Sequence, residues 1–129
     1  MTDDRKRNGT FEDLEVFKRA YRLSLKIHQA SLNFPSIEQH ALADQIRRSS
    51  KSMCANIAEG HARQGWSRPE FRRYVRLALS SADETRVWLR YCLDLGYVDE
   101  ATWKVWRDEC QEIARMLYAL AKSVGEKDF

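Results

Sequence analysis

Apolar residues recur three and four positions apart along most of this chain, and no stretch keeps the two-residue alternation of a strand. Four amphipathic segments follow. The first runs from about Glu12 to Leu32 and carries two stripes: Leu14, Phe17, Tyr21, Leu25, His28 and Leu32, and then Val16, Ala20, Leu23, Ile27 and Ala30. Two stripes exceed what a helix packed on one side needs, so neighbours on two sides are expected. Thr10 is placed to cap this helix, with Asp13 favouring its N-terminus. Asn33, Phe34 and Pro35 end it, because proline disfavours helical geometry in the residue before it.

Ser36 and Gln39 read as a capping box for a second helix with the stripe Leu42, Ile46, Ser49, Met53, Asn56 and Ile57, fraying between Gly60 and Gly65. Ser67 and Glu70 form another box, with Pro69 tolerated in the first turn. The third helix then runs from about Arg68 to Leu95, with Phe71, Val75, Ala78, Ala82, Thr85, Leu89 and Cys92 inward and Gly96 as its C′ residue. Asp99 caps a fourth, with Trp103, Trp106, Cys110, Ile113, Leu117, Leu120 and Val124 inward. The pattern predicts an all-α fold, an antiparallel up-down four-helix bundle spanning residues 11–125. Residues 1–10 read as a disordered segment and 126–129 as a flexible C-terminus.

The second helix is unusually polar for a buried element. Ser49, Ser52 and Asn56 share one face, and hydroxyls and amides are expensive to bury unless hydrogen-bonded. A matching band on the third helix holds Ser80, Ser81 and Glu84. The expectation is a hydrogen-bonded layer of Ser49, Ser52, Asn56, Ser81 and Glu84, joined by Arg48 and Glu59, that fixes register between helices. A ligand or catalytic site in the same layer is the alternative.

Net charge is +3, but its distribution is uneven. Residues 47–82 carry eight bases against two acids, whereas residues 83–129 carry seven bases against ten acids. The candidate contact residues are Arg47, Lys51, Arg63, Arg68, Arg72, Arg73 and Arg76, with Trp66 among them. Arginines with an interleaved aromatic suit phosphate contacts and base stacking. The same residues also fit an acidic protein surface or a solvated face whose arginines pair with acids.

Cys54, Cys92 and Cys110 are odd in number and lack paired-ligand spacing, which argues for reduced thiols in a cytoplasmic protein without a metal centre or cofactor. No run approaches 18 apolar residues, so no membrane contact is expected. A Glu-x-x-His pair, a Gly-rich phosphate loop and a nucleophile elbow are all missing. Arg22 and His28 superficially match a motif of helical RNases, yet His28 falls on an apolar stripe. His40 and His61 sit near loops and read as solvated. Four tryptophans and a doubly striped first helix leave apolar area to spare, which commonly means self-association.

Five stretches carry a family resemblance: FEDLEVFKRA (Phe11–Ala20), Phe34–Pro35, QIRRSSKSMCANIAEG (Gln45–Gly60), EFRRYVRLALSSADET (Glu70–Thr85) and LDLGY (Leu93–Tyr97). With them the chain resembles the small four-helix-bundle proteins of 23S rRNA intervening sequences, over about residues 11–124. The resemblance implies a ring-like homopentamer and a likeness to accessory proteins of diversity-generating reverse transcriptases, which bind the transcriptase and nucleic acid. It supplies no catalytic residue, and it implies a structural role for Asn56, Glu59 and Gly60. Cys54 stands where proline is common in that family, and Ser80 where glycine is usual.

The expected function is therefore a non-enzymatic homo-oligomer that binds RNA or DNA through its basic surface. A protein adaptor, such as an accessory subunit of a reverse transcriptase or a ribosome-associated factor, is the second reading. A helical nuclease using His28 is the third.

Overall fold

The computed structural model describes residues 9–123. Among the described residues there are four α-helices, α1 (Glu15–Ser31), α2 (Leu42–Arg63), α3 (Arg68–Asp94) and α4 (Glu100–Lys122), two short 3₁₀ turns and no strand. Helix α1 packs against α2 and α4, and α3 packs against the same two. One core results, filled by Ala20, Leu23 and Ile27 of α1, Ile46, Met53 and Ile57 of α2, Phe71, Val75 and Leu89 of α3, and Ile113 and Leu117 of α4. Each large aliphatic or aromatic side chain buried this way contributes roughly 1.5–3 kcal/mol.

All seven residues placed inward on α3 by the periodicity are buried. On α4, Cys110, Ile113 and Leu117 are buried, Trp103, Trp106 and Leu120 are half-buried, and Val124 lies outside the described residues, as do residues 1–8 and the 126–129 segment. On α1 only one of the two stripes is buried: Val16, Ala20, Leu23 and Ile27 face the core, while Tyr21, Leu25 and Leu32 of the other remain exposed.

The helix starts divide by chemistry. Ser67 Oγ accepts from Glu70 N at 3.3 Å and Asp99 Oδ1 accepts from Thr102 N at 2.7 Å, so both caps form where the sequence placed them. Gly96 has φ 81, the left-handed geometry that ends α3.

Two other starts differ. Thr10 caps the 3₁₀ turn Phe11–Asp13 rather than α1, accepting from Glu12 N at 3.2 Å. Leu14 then turns extended (φ −73, ψ 130), so α1 begins at Glu15 and not Glu12. Phe11 meets Phe17 edge-on, with ring centroids 4.8 Å apart, which holds the turn against the helix. Ser36 and Gln39 form no capping box. Ser36–Glu38 is a 3₁₀ turn, and Gln39 Nε2 donates back to Ser31 O (2.9 Å) and Phe34 O (3.0 Å). Helix α2 begins at Leu42, whose N–H donates to Glu38 Oε1 at 3.3 Å.

One long-range ion pair has no sequence signal. Arg19 of α1 and Glu109 of α4 make a two-pronged pair, Nε to Oε2 at 2.9 Å and Nη2 to Oε1 at 2.7 Å. Such geometry ties the first helix to the last.

Candidate nucleic-acid interface

Among the described residues, helices α2 and α3 share the most extensive seam, and polar residues of α2 line it. Ser81 Oγ donates to Ser52 Oγ at 2.8 Å, and Asn56 Nδ2 donates to Ser52 O (2.9 Å) and Ser52 Oγ (3.0 Å). One turn earlier, Thr85 Oγ1 lies 2.9 Å from Ser49 Oγ and 2.8 Å from Ser81 O. The layer therefore contains Ser49, Ser52, Asn56 and Ser81 as expected, together with Thr85. Its hydroxyl was hidden in the sequence among the apolar residues of its stripe.

Arg48, Glu59 and Glu84 do not belong to this layer. Arg48 is exposed and pairs with Asp44 at 3.0 Å on its own helix. Glu59 pairs with Arg63 at 2.7 Å. Glu84 is exposed and accepts from Trp88 Nε1 at 3.1 Å. Each charge finds a partner within one turn of its helix at the surface, whereas burial would have stripped it of water.

The seam closes towards the C-terminal end of α2 at Gly60, which is buried inside the helix rather than marking a frayed end. A Cβ added there would meet Tyr74 Cβ at 3.3 Å and Phe71 O at 3.6 Å. Glycine thus lets α2 approach the first turns of α3 closely.

This close approach assembles the basic end. Arg63 from α2 and Arg73 from α3 both lie against the Tyr74 ring, 4.6 and 4.5 Å from its centroid. Glu59 and Glu70 hold the two guanidinium groups, at 2.7 and 3.5 Å. The hydrogen bond that Arg63 donates to Glu59 raises the Arg63 pKa above its ordinary value. Arg68, Arg72 and Arg76 follow four-residue spacing and lie along one side of α3, within about 12 Å of helix rise. Trp66, in the turn between the helices, is 72% exposed, and its Nε1 donates to Ala62 O at 2.9 Å. Tyr74 was not among the expected contact residues, although it interrupts the arginine run in the sequence.

Arg47 and Lys51 do not join this cluster. Arg47 precedes Arg63 by sixteen residues, roughly 24 Å along the axis of α2. Its guanidinium is half-buried and committed to the α1–α2 connection: Nη1 donates to Ser31 Oγ (2.8 Å) and Gln39 Oε1 (3.2 Å), and Nη2 to Gln39 O (2.8 Å). Arg47 is a structural latch. Lys51 Nζ sits 3.0 Å from His28 Nδ1. Burial first, then Lys51 and Arg47, lower the His28 pKa. His61 is not simply solvated, since its Nε2 lies 3.1 Å from Gly9 O.

Chemistry elsewhere is sparse. Burial pushes the Cys54 thiol up to about 11 and those of Cys92 and Cys110 up to about 12. Among the described residues no group of three or more His, Cys, Asp or Glu could hold a metal ion, and no helix is long and apolar enough to cross a membrane.

Residues 12–119 match the 23S rRNA-intervening sequence protein family. The chain belongs to that family. A solved relative supports the assignment: a protein of unknown function from the S23 ribosomal protein family of Bacteroides thetaiotaomicron. It superposes with a TM-score of 0.71 at 28% identity, covering 83% of this chain and 95% of its own. No curated protein matches the chain. The family match spans the polar seam, Gly60 and the arginine cluster alike, so the structure gives the Asn56-to-Gly60 stretch of this family member a physical reading. Asn56 serves the α2–α3 hydrogen bonds, Ile57 the core, and Gly60 the close approach.

Proposed function

We propose that this protein is a non-enzymatic, cytoplasmic homo-oligomer that binds RNA or DNA through the α2–α3 end. The observation that carries the reading is the exposed Trp66 set between Arg63 and Arg68, with Arg72, Arg73 and Arg76 on the adjoining turns. Five arginines stand there against Glu59 and Glu70, an excess suited to phosphates. In this reading the helices run up and down in an antiparallel bundle, and copies assemble as a ring of five, the number the family resemblance implies. Exposed apolar residues on α1 (Tyr21, Leu25) and α3 (Val87, Tyr91) supply surfaces for that assembly. A groove of about 320 Å³ between α1 and α2, lined by Phe17, Tyr21, Leu25 and Cys54, adds to them. A ring repeats the arginine cluster, so individually weak contacts add up.

The test is charge reversal. Arg68→Glu with Arg72→Glu and Arg73→Glu should abolish retardation of a labelled RNA while leaving the helical circular-dichroism signal intact. Unchanged retardation would remove the interface from this end of the molecule. The same exposed apolar surfaces favour a second reading, an adaptor that docks on a protein such as a reverse transcriptase or a ribosomal factor. Capture of a partner that persists after nuclease treatment would select it.

A further inference from the structure

We infer that the α2–α3 turn recognises unpaired nucleotides, with Trp66 as a stacking platform for a single base; this rests on the nucleic-acid reading above. Three observations converge on the indole. It is 72% exposed, so its ring face is presented to solvent rather than to the core. Its only polar atom is already used, because Nε1 donates to Ala62 O at 2.9 Å, which fixes the ring against the last turn of α2. The turn beneath it is closed by backbone bonds from Trp66 N to Arg63 O (3.2 Å) and from Ser67 N to Arg63 O (2.9 Å). An anchored aromatic loses little freedom when a base stacks on it.

The turn before the indole is uncrowded by other parts of the fold. A Cβ added at the neighbouring Gly65 would meet nothing within 4 Å. The cations around it are partly pre-set: Arg63 and Arg73 are held against Tyr74 and tethered to Glu59 and Glu70, while Arg68 is exposed at the start of α3. This arrangement pairs a π-face with phosphate-binding groups on the next residues of the chain. A duplex hides its base faces inside the stack and meets such a surface through phosphates alone. A single strand offers both base and phosphate, and stacking of this kind tolerates any base.

The experiment titrates the full chain with labelled oligouridine, labelled oligothymidine and a duplex of equal charge, at one salt concentration, for the native protein, Trp66→Ala and Trp66→Phe. The expected result is tighter binding of the single strands than of the duplex. Trp66→Ala should weaken single-strand binding roughly 10- to 100-fold, as loss of one stacked base implies, and leave duplex binding unchanged. Trp66→Phe should retain most of the affinity. The tighter of the two single strands identifies the natural source as RNA or DNA. Equal loss with the single strands and the duplex, no loss in Trp66→Ala, or preference for the duplex would overturn the platform while leaving the arginine interface standing. No binding of any probe would overturn both.

Discussion

Ser81 of α3 donates its hydroxyl hydrogen to Ser52 of α2 across 2.8 Å, near the middle of the seam between the two helices. Asn56 braces Ser52 from the next turn, and Thr85 meets Ser49 one turn the other way. The polar residues that make α2 look ill-suited to a core are therefore consumed by one another. Because these bonds are directional, they select one register where an apolar seam would tolerate several.

Thr85→Val keeps the shape of a fully buried side chain and removes its hydroxyl. It should destabilise the fold by about 1–2 kcal/mol. Adding Ser49→Ala should cost less than the sum of the two single changes, since both act on one contact. Urea denaturation of the four proteins in the cycle measures this.

Gly60→Leu should destabilise the protein by about 1–3 kcal/mol, because the Tyr74 Cβ already stands 3.3 Å from where a first side-chain carbon would lie. The same change should weaken nucleic-acid binding, since it moves Tyr74 and the two arginines stacked on it. Thermal melts and a binding titration on one preparation read both effects.

The four helices were legible in the sequence because the core positions keep strict helical spacing, and two caps were legible because Ser67 and Asp99 have no competing partner. The other starts were not. Gln39 serves two backbone carbonyls and Arg47 instead of a cap, and Leu14 is drawn extended by the packing of Phe11 on Phe17. The polar seam was half legible: period placed Ser49, Ser52, Asn56 and Ser81 together, but it could not show that Glu84 turns to Trp88 and Arg48 to Asp44. In the basic cluster, charge counting grouped Arg47 with the rest, and only the length of α2 separates them. Tyr74 gave a signal, an aromatic within the arginine run, that acquires meaning once Gly60 brings α2 against it.

Stability should fall on mild acidification. The folded chain holds His28 below its ordinary value of 6.5, so the unfolded chain takes up the proton first as pH drops. The contribution is fully present above about pH 6.5 and is lost as pH falls through the lowered folded value. His28→Gln should flatten the dependence of the melting temperature on pH between about 7.5 and 5.5. An equal slope in both proteins would place the effect elsewhere.

The native thiols should resist alkylation. With Cys54 raised to about 11, and Cys92 and Cys110 to about 12, the thiolate fraction of Cys54 at pH 8 is about one in a thousand. Mass spectrometry after a brief iodoacetamide pulse should find the folded protein unmodified and the urea-unfolded protein modified at all three.

The central claim is that the α2–α3 end neutralises nucleic-acid phosphates. It is tested most directly by fluorescence-anisotropy titration of the protein with a labelled structured RNA at several salt concentrations, with the species sized by light scattering. Engagement of four phosphates predicts that log affinity falls with log salt at a slope of about −3, steeper if a ring presents several copies to one strand. Absence of binding even at about 50 mM salt would contradict the account.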